Sequence, residues 1–116
     1  MHELSLCRHL IQLVEKQLED VPVSRVVEKV MLRCGSLAVV DVSAMSFWFP
    51  VVTESTRLKG ARLEIVEDKA MARCGNCDLE FTIKSLIETC PFCQNQNLEI
   101  TKGRELTLTG IELKGE

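Results

Sequence analysis

The chain has 116 residues, 46% of them hydrophobic, with 14 basic against 17 acidic side chains and a net charge of -3. That composition supplies one small core, without the basic excess of a phosphate-backbone binder or an apolar run near the ~20 residues that span a bilayer. No low-complexity tract interrupts it, and no basic segment followed by an apolar run opens it as a signal peptide would, so the cytoplasm is the expected setting.

Met1-His2-Glu3 comes first. At a terminus this tripeptide gathers a free amine, the His2 backbone nitrogen and the His2 imidazole, and a Met followed by a bulky His is expected to escape methionine aminopeptidase. Nitrogen-rich tetragonal sets suit Ni²⁺ and Cu²⁺. The plain alternatives are a frayed terminus with a solvated imidazole, and a Glu3 carboxylate that serves the positive end of a helix dipole. Leu4, Cys7, Ile11, Val14 and Leu18 recur at alternating spacings of three and four. That predicts a helix over residues 4–20 with these five on its buried stripe, His9 facing solvent, and Val21-Pro22 ending it.

From Arg25 to Cys34 the chain alternates, Val26, Val30, Leu32 and Cys34 on one face against Arg25, Lys29 and Arg33 on the other. This is the pattern of a strand covered on one side, closed by Gly35. Asp41 or Ser43 can cap a second helix with Val42, Met45, Phe49 and Val52 as its apolar residues, and Pro50 predicts a kink or an early stop. Leu63 and Ile65 mark a second strand, and Leu106, Leu108, Ile111 and Leu113 a third whose phase switches at Gly110, where a bulge is expected. Cys7 and Cys34 fall on core faces and read as small buried hydrophobes.

Between the second and third strands lie Cys74-Gly-Asn-Cys77 and Cys90-Pro-Phe-Cys93. Each pair can place two thiolates on one ion, with Gly75 easing one turn and Pro91 pre-setting the other, so that four sulfurs surround a tetrahedral Zn²⁺ at roughly 2.3 Å. Four thiolates leave no open position for a catalytic water, which makes the site a scaffold. An iron centre, a redox dithiol and disulfides are the alternatives; a thioredoxin-type site needs one C-x-x-C only, and disulfides need an oxidising compartment. The predicted class is α+β: two helices on one face of a small, mainly antiparallel three-stranded sheet, with an inserted four-cysteine, zinc-ribbon-like module. Residues 1–71 plus 99–116 would form the main domain and 72–98 the module, which leaves on the order of 85 residues for a modest core.

The opening Met-His-Glu-Leu-Ser-Leu-Cys, the Gly35-Ser36-Leu37 turn, the later Glu54 and the two C-x-x-C pairs together resemble the HypA/HybF family of nickel metallochaperones for hydrogenase maturation. The resemblance covers essentially the whole chain. It implies Ni²⁺ as cargo, held by His2 with the amide nitrogens of His2 and Glu3 completing much of a planar site, and structural Zn²⁺ at Cys74, Cys77, Cys90 and Cys93; the Met1 amine is a candidate ligand from the terminal chemistry alone. Some relatives place a carboxylate near the nickel where Asp41 stands; its other role is helix capping. The implied partners are a hydrogenase large-subunit precursor and an accessory nickel GTPase of the HypB type, with no nucleic acid, no membrane span and no enzymatic activity; a homodimer is left open. Pro50 departs from the family's continuous second helix, and no histidine stands beside the knuckles as in some relatives. Rival readings are a nucleic-acid-binding zinc ribbon and a thiol oxidoreductase. The first is disfavoured because Asp78, Glu80 and Glu88 outnumber Lys84 between the knuckles.

Overall fold

A computed structural model describes residues 2–115. The elements run α1 (His2–Gln17), β1 (Val27–Gly35), α2 (Val42–Val52), β2 (Arg62–Asp68), β3 (Ala70–Cys74), β4 (Glu80–Ile83), β5 (Leu98–Lys102) and β6 (Leu106–Leu113). They form two three-stranded sheets, in the orders β2-β1-β6 and β4-β3-β5. The α+β class and the helix pair hold, and β1, β2 and β6 are the three expected strands. β3, β4 and β5, a second, antiparallel sheet built around the cysteine pairs, were not among the expected strands.

The chain divides into two compact units. The first comprises residues up to Leu32, Val40–Ile65 and those from Leu108 onward. Here α1 packs on α2, burying Cys7, Leu10, Ile11 and Val14 of one against Met45 and Phe49 of the other. Phe49 and Met45 are 1% and 0% exposed, and full burial of such side chains is worth about 1.5–3 kcal/mol each. Leu4 is only half-buried, while Glu3 and Leu10 are buried in addition to the predicted stripe, because the helix starts at His2 and presents a wider covered face. α1 stops at Gln17, and Arg57 takes up the carbonyls beyond it, donating from Nη1 to Leu18 and Val21 (both 3.2 Å) and from Nη2 to Pro22 (3.0 Å).

In β1 the buried side chains are those of Val27, Val30, Leu32 and Cys34, ahead of a buried Gly35; Val26, predicted inside, is 48% exposed. The alternation changes phase between Val27 and Val30, so a single period of two carried back from Cys34 picks the wrong valine. Lys29 reaches Glu64 of β2 at 3.3 Å and Glu112 of β6 at 3.6 Å, as expected of a residue on a central strand. Pro50 does not truncate α2 at once. It sits in the last turn, where the helix continues to Val52 and closes on Thr53, whose hydroxyl donates to the Phe49 carbonyl at 2.8 Å. Burial in β6 changes phase at Gly110, as predicted, and a Cβ there would lie 2.7 Å from the Met31 methyl.

The second unit comprises Arg33–Val39 and Val66–Thr107. Its core is thin: Ala70, Ala72 and Ile83, flanked by half-buried Leu37, Phe81, Leu98 and Ile100. Gly35 and Gly103 meet backbone to backbone, since a Cβ on Gly35 would stand 2.1 Å from the Gly103 carbonyl carbon. Leu37 donates to the Gly103 carbonyl at 2.8 Å across this contact.

Candidate metal centres

β3 ends in the first C-x-x-C and β5 begins four residues after Gln94, so the second sheet holds the two cysteine pairs face to face. The Sγ atoms of Cys74, Cys77, Cys90 and Cys93 all lie within 4.8 Å of one another. Cys74 Sγ stands 3.5 Å from Cys93 Sγ and Cys77 Sγ 3.6 Å from Cys90 Sγ, too far for a disulfide and close to the ~3.8 Å edge of a tetrahedron with 2.3 Å metal–sulfur bonds. The set fits one ion.

The two pairs are built alike. Asp78 donates to the Cys74 carbonyl at 2.9 Å and Gln94 to that of Cys90 at 2.8 Å, while the amides of Cys74 and Cys90 donate to Leu79 (3.0 Å) and Asn95 (2.9 Å). The left-handed residue of each turn is Asp78 or Gln94, both at φ 63°, directly after the second cysteine. Gly75 is therefore not the residue that supplies the left-handed turn. Gly75 serves packing instead, since a Cβ would come within 2.5 Å of the Asn97 side-chain amide. Backbone amides point at the sulfurs: Asn76 and Cys77 at Cys74 Sγ (3.3 and 3.5 Å) and Phe92 at Cys90 Sγ (3.4 Å).

These donors divide the thiols. The Asn76 side chain, 3.6 Å from Cys93 Sγ, and the Asn95 amide bring Cys93 down to about 6. At Cys77 the Leu79 amide favours the thiolate, but burial and hydrogen bonds with the other three sulfurs outweigh it and push the thiol up to about 12. Burial opposes ionisation of Cys90, yet the amides of Cys93 and Phe92 lower its value. The remaining two cysteines behave as packing groups. Burial, then the Glu3 charge, raises Cys7, whose thiol donates to the Met45 carbonyl at 3.5 Å; burial likewise raises Cys34.

The N-terminal residues are brought together differently. His2 and Glu3 open α1, where backbone nitrogens are not committed to the helical ladder. The His2 side chain is 53% exposed, with Nδ1 3.4 Å from Glu3 Oε2. Glu3 is buried, and its Oε2 accepts from the Asp41 backbone amide at 3.1 Å. Asp41 thus lies beside Glu3, but its own carboxylate caps α2 by accepting from Ala44 at 3.1 Å. Met1 lies outside the described residues. Glu54 is exposed and pairs with Lys59 at 3.2 Å. Neither the Glu3–Asp41 link nor the left-handed Asp78 and Gln94 could be read from local pattern; the only available signal was the matching position of the latter two, one past each C-x-x-C.

The fold and the four-cysteine group define a small α+β metal-binding protein. The family profile "HypA: Hydrogenase/urease nickel incorporation, metallochaperone, hypA" matches residues 1–113. The hydrogenase maturation factor HypA of Francisella philomiragia is 38% identical over 111 residues, 96% of this chain and 97% of the relative; that of Azotobacter chroococcum is 37% identical over 114 residues, 98% and 100%. The solution structure of the Ni metallochaperone HypA from Helicobacter pylori superposes over the whole of both chains with a TM-score of 0.70 at 29% identity. A second HypA solution structure gives 0.74 at 30% identity, over 100% of this chain and 98% of the other. The chain belongs to the HypA family, the nickel-incorporation metallochaperones of hydrogenase maturation.

Proposed function

We propose that this protein carries Ni²⁺ at its N-terminus and delivers it to a hydrogenase large-subunit precursor, while Zn²⁺ at Cys74, Cys77, Cys90 and Cys93 holds the second unit together. The observation that carries the reading is the start of α1: the exposed His2 imidazole sits beside backbone nitrogens outside the helical ladder, on a terminus anchored by the Glu3–Asp41 hydrogen bond. The donors are the His2 imidazole and the His2 and Glu3 amide nitrogens, with the Met1 amine and Asp41 as further candidates. The family match to a nickel-incorporation profile supports Ni²⁺ as the cargo.

An exposed imidazole and terminal nitrogens can be exchanged one at a time by an incoming ligand set, which suits a carrier that must give up its ion. Protons compete for the same nitrogens, so affinity falls as the pH drops. The Irving–Williams order favours Cu²⁺ over Ni²⁺ at such a site, so the choice of metal rests on supply and on docking to an accessory GTPase of the HypB type, in the cytoplasm. The protein acts as a carrier and not as an enzyme. When bound, zinc would supply a closed four-thiolate crosslink between the two knuckles.

Calorimetric titration of Ni²⁺ into the native chain, His2→Ala and a chain extended at its N-terminus tests this reading. Nickel binding should be lost in both altered proteins while each retains about one zinc per chain. Unchanged nickel affinity in His2→Ala would refute the terminal site.

A further inference from the structure

We propose that a cleft in the second unit binds a small phosphorylated organic molecule, its phosphate held by Lys69, Lys102 and Arg104. The cleft is a cavity of about 530 Å³, inside the range of about 300–1,000 Å³ typical of small-molecule sites and several times larger than inorganic phosphate needs. Its lining carries four cations, Arg33 and the three named, against the carboxylates of Asp68 and Glu105, an excess of two positive charges on a chain whose net charge is -3. A terminal phosphate at neutral pH carries about -1.5 to -2, so the phosphorylated end of such a molecule meets an excess of opposite sign.

The cations are not equivalent. Arg33 is committed to Asp68, with Nε 3.0 and 2.9 Å from its two carboxylate oxygens and Nη2 on the same group. Among the described residues, Lys69, Lys102 and Arg104 have no carboxylate within 4.0 Å, so their charges are available to a ligand. Backbone geometry gathers them. The register shift between Met71 and Ala72 sets Lys102 opposite Met71 and leaves Thr101 as an extra residue, and such bulges re-aim side chains. Gly103, at φ 104°, then turns the chain toward Arg104 so closely over Ala70 that a Cβ would lie 2.4 Å from the Ala70 Cα. Thr107 and Met71 complete a lining suited to a polar group on an organic body, together with Thr101, whose hydroxyl is committed to Glu80 at 2.7 Å.

The test uses the zinc-loaded full-length chain, titrated with adenosine diphosphate, inorganic phosphate and tricarballylate while backbone amide resonances are followed. Adenosine diphosphate should give saturable shifts confined to residues 69–71 and 100–107 and bind about tenfold more tightly than the other two. Lys102→Gln/Arg104→Gln should weaken it by about tenfold with unchanged zinc content and Tm. Charge reversal at the same positions serves as the stronger variant. The proposal is overturned by the absence of saturable shifts, by wild-type affinity in the Gln variant, by equal binding of inorganic phosphate, or by equal binding of tricarballylate; that last result would mark a cleft that reads charge alone, as for an acidic protein segment. Nickel binding plays no part in any arm.

Discussion

At the scale of single residues, glycines and one ion pair carry consequences that differ in kind. A Cβ at Gly35 would strike backbone that cannot swing away, whereas at Gly75 it meets the Asn97 side chain, which can. Gly35→Ala is therefore expected to cost at least the 1–3 kcal/mol (roughly) of an overpacked site, and Gly75→Ala distinctly less, as read from urea midpoints at constant m-value. The Asp68 carboxyl is held below its ordinary value by hydrogen bonds from Arg33, aided by the Arg33 and Lys102 charges, against a smaller opposing effect of burial. A depressed carboxyl contributes stability that is present at neutral pH and lost as the pH falls through its folded value. Asp68→Asn should flatten the acid limb of a stability–pH curve slightly, because both partners are solvent-exposed and screened. An acid limb as steep as that of the native chain would show that the pair contributes nothing. None of these contacts has a local signature: Gly35 was legible as a strand end, but its partner Gly103 lies far along the chain.

Among the elements, α2 is the most informative. Its composition announced an apolar helix, its cap was one of two candidates, and Asp41 proved to be the one used. Removing that cap by Asp41→Ala should destabilise the fold by about 1 kcal/mol, whereas Asp41→Asn, an equally good cap, should leave Tm nearly unchanged. The same pair of variants separates capping from metal binding. Nickel affinity that falls in Asp41→Asn at unchanged Tm would add this carboxylate to the ligand set, and affinity that holds would leave it a cap. The strands show where periodicity stops informing. Leu106, Leu108, Ile111 and Leu113 fell in the predicted phases because Gly110 flagged the switch, whereas β1 changes phase without a glycine and Val26 was misplaced. β3 has only alanines and Cys74 on its buried face, whereas β4 (Phe81, Ile83) and β5 (Leu98, Ile100) do alternate apolar and polar residues, a strand signal of four or five residues overshadowed by the stronger C-x-x-C pattern.

For the molecule as a whole, the contrast between the two units predicts how it fails. The first unit buries Phe49, Met45, Leu32, Leu58 and three fully covered valines, while the second has two alanines and Ile83 at its centre and carries the four-cysteine group. Chelation, or Cys74→Ser, should melt the second unit first, since structural zinc in small peptides contributes on the order of 10 kcal/mol. The readout is loss of dispersion in the amide resonances of 70–102 while the fluorescence of Trp48, the sole tryptophan, on α2 of the first unit, stays close to native. Full retention of metal and melting temperature in Cys74→Ser would exclude a structural metal at that cysteine.

The sequence by itself determined the helix pair, the three long strands and the four-cysteine group, because each is written in spacing: three and four for a helix, two for a strand, and C-x-x-C for a knuckle. Only the tertiary structure decided the strand orders, the second sheet, the burial of Glu3 against the Asp41 amide, and the gathering of Lys69, Lys102 and Arg104 around one cleft. Those features join residues tens of positions apart, and their energies depend on which backbone groups meet in space, a quantity that no local period carries.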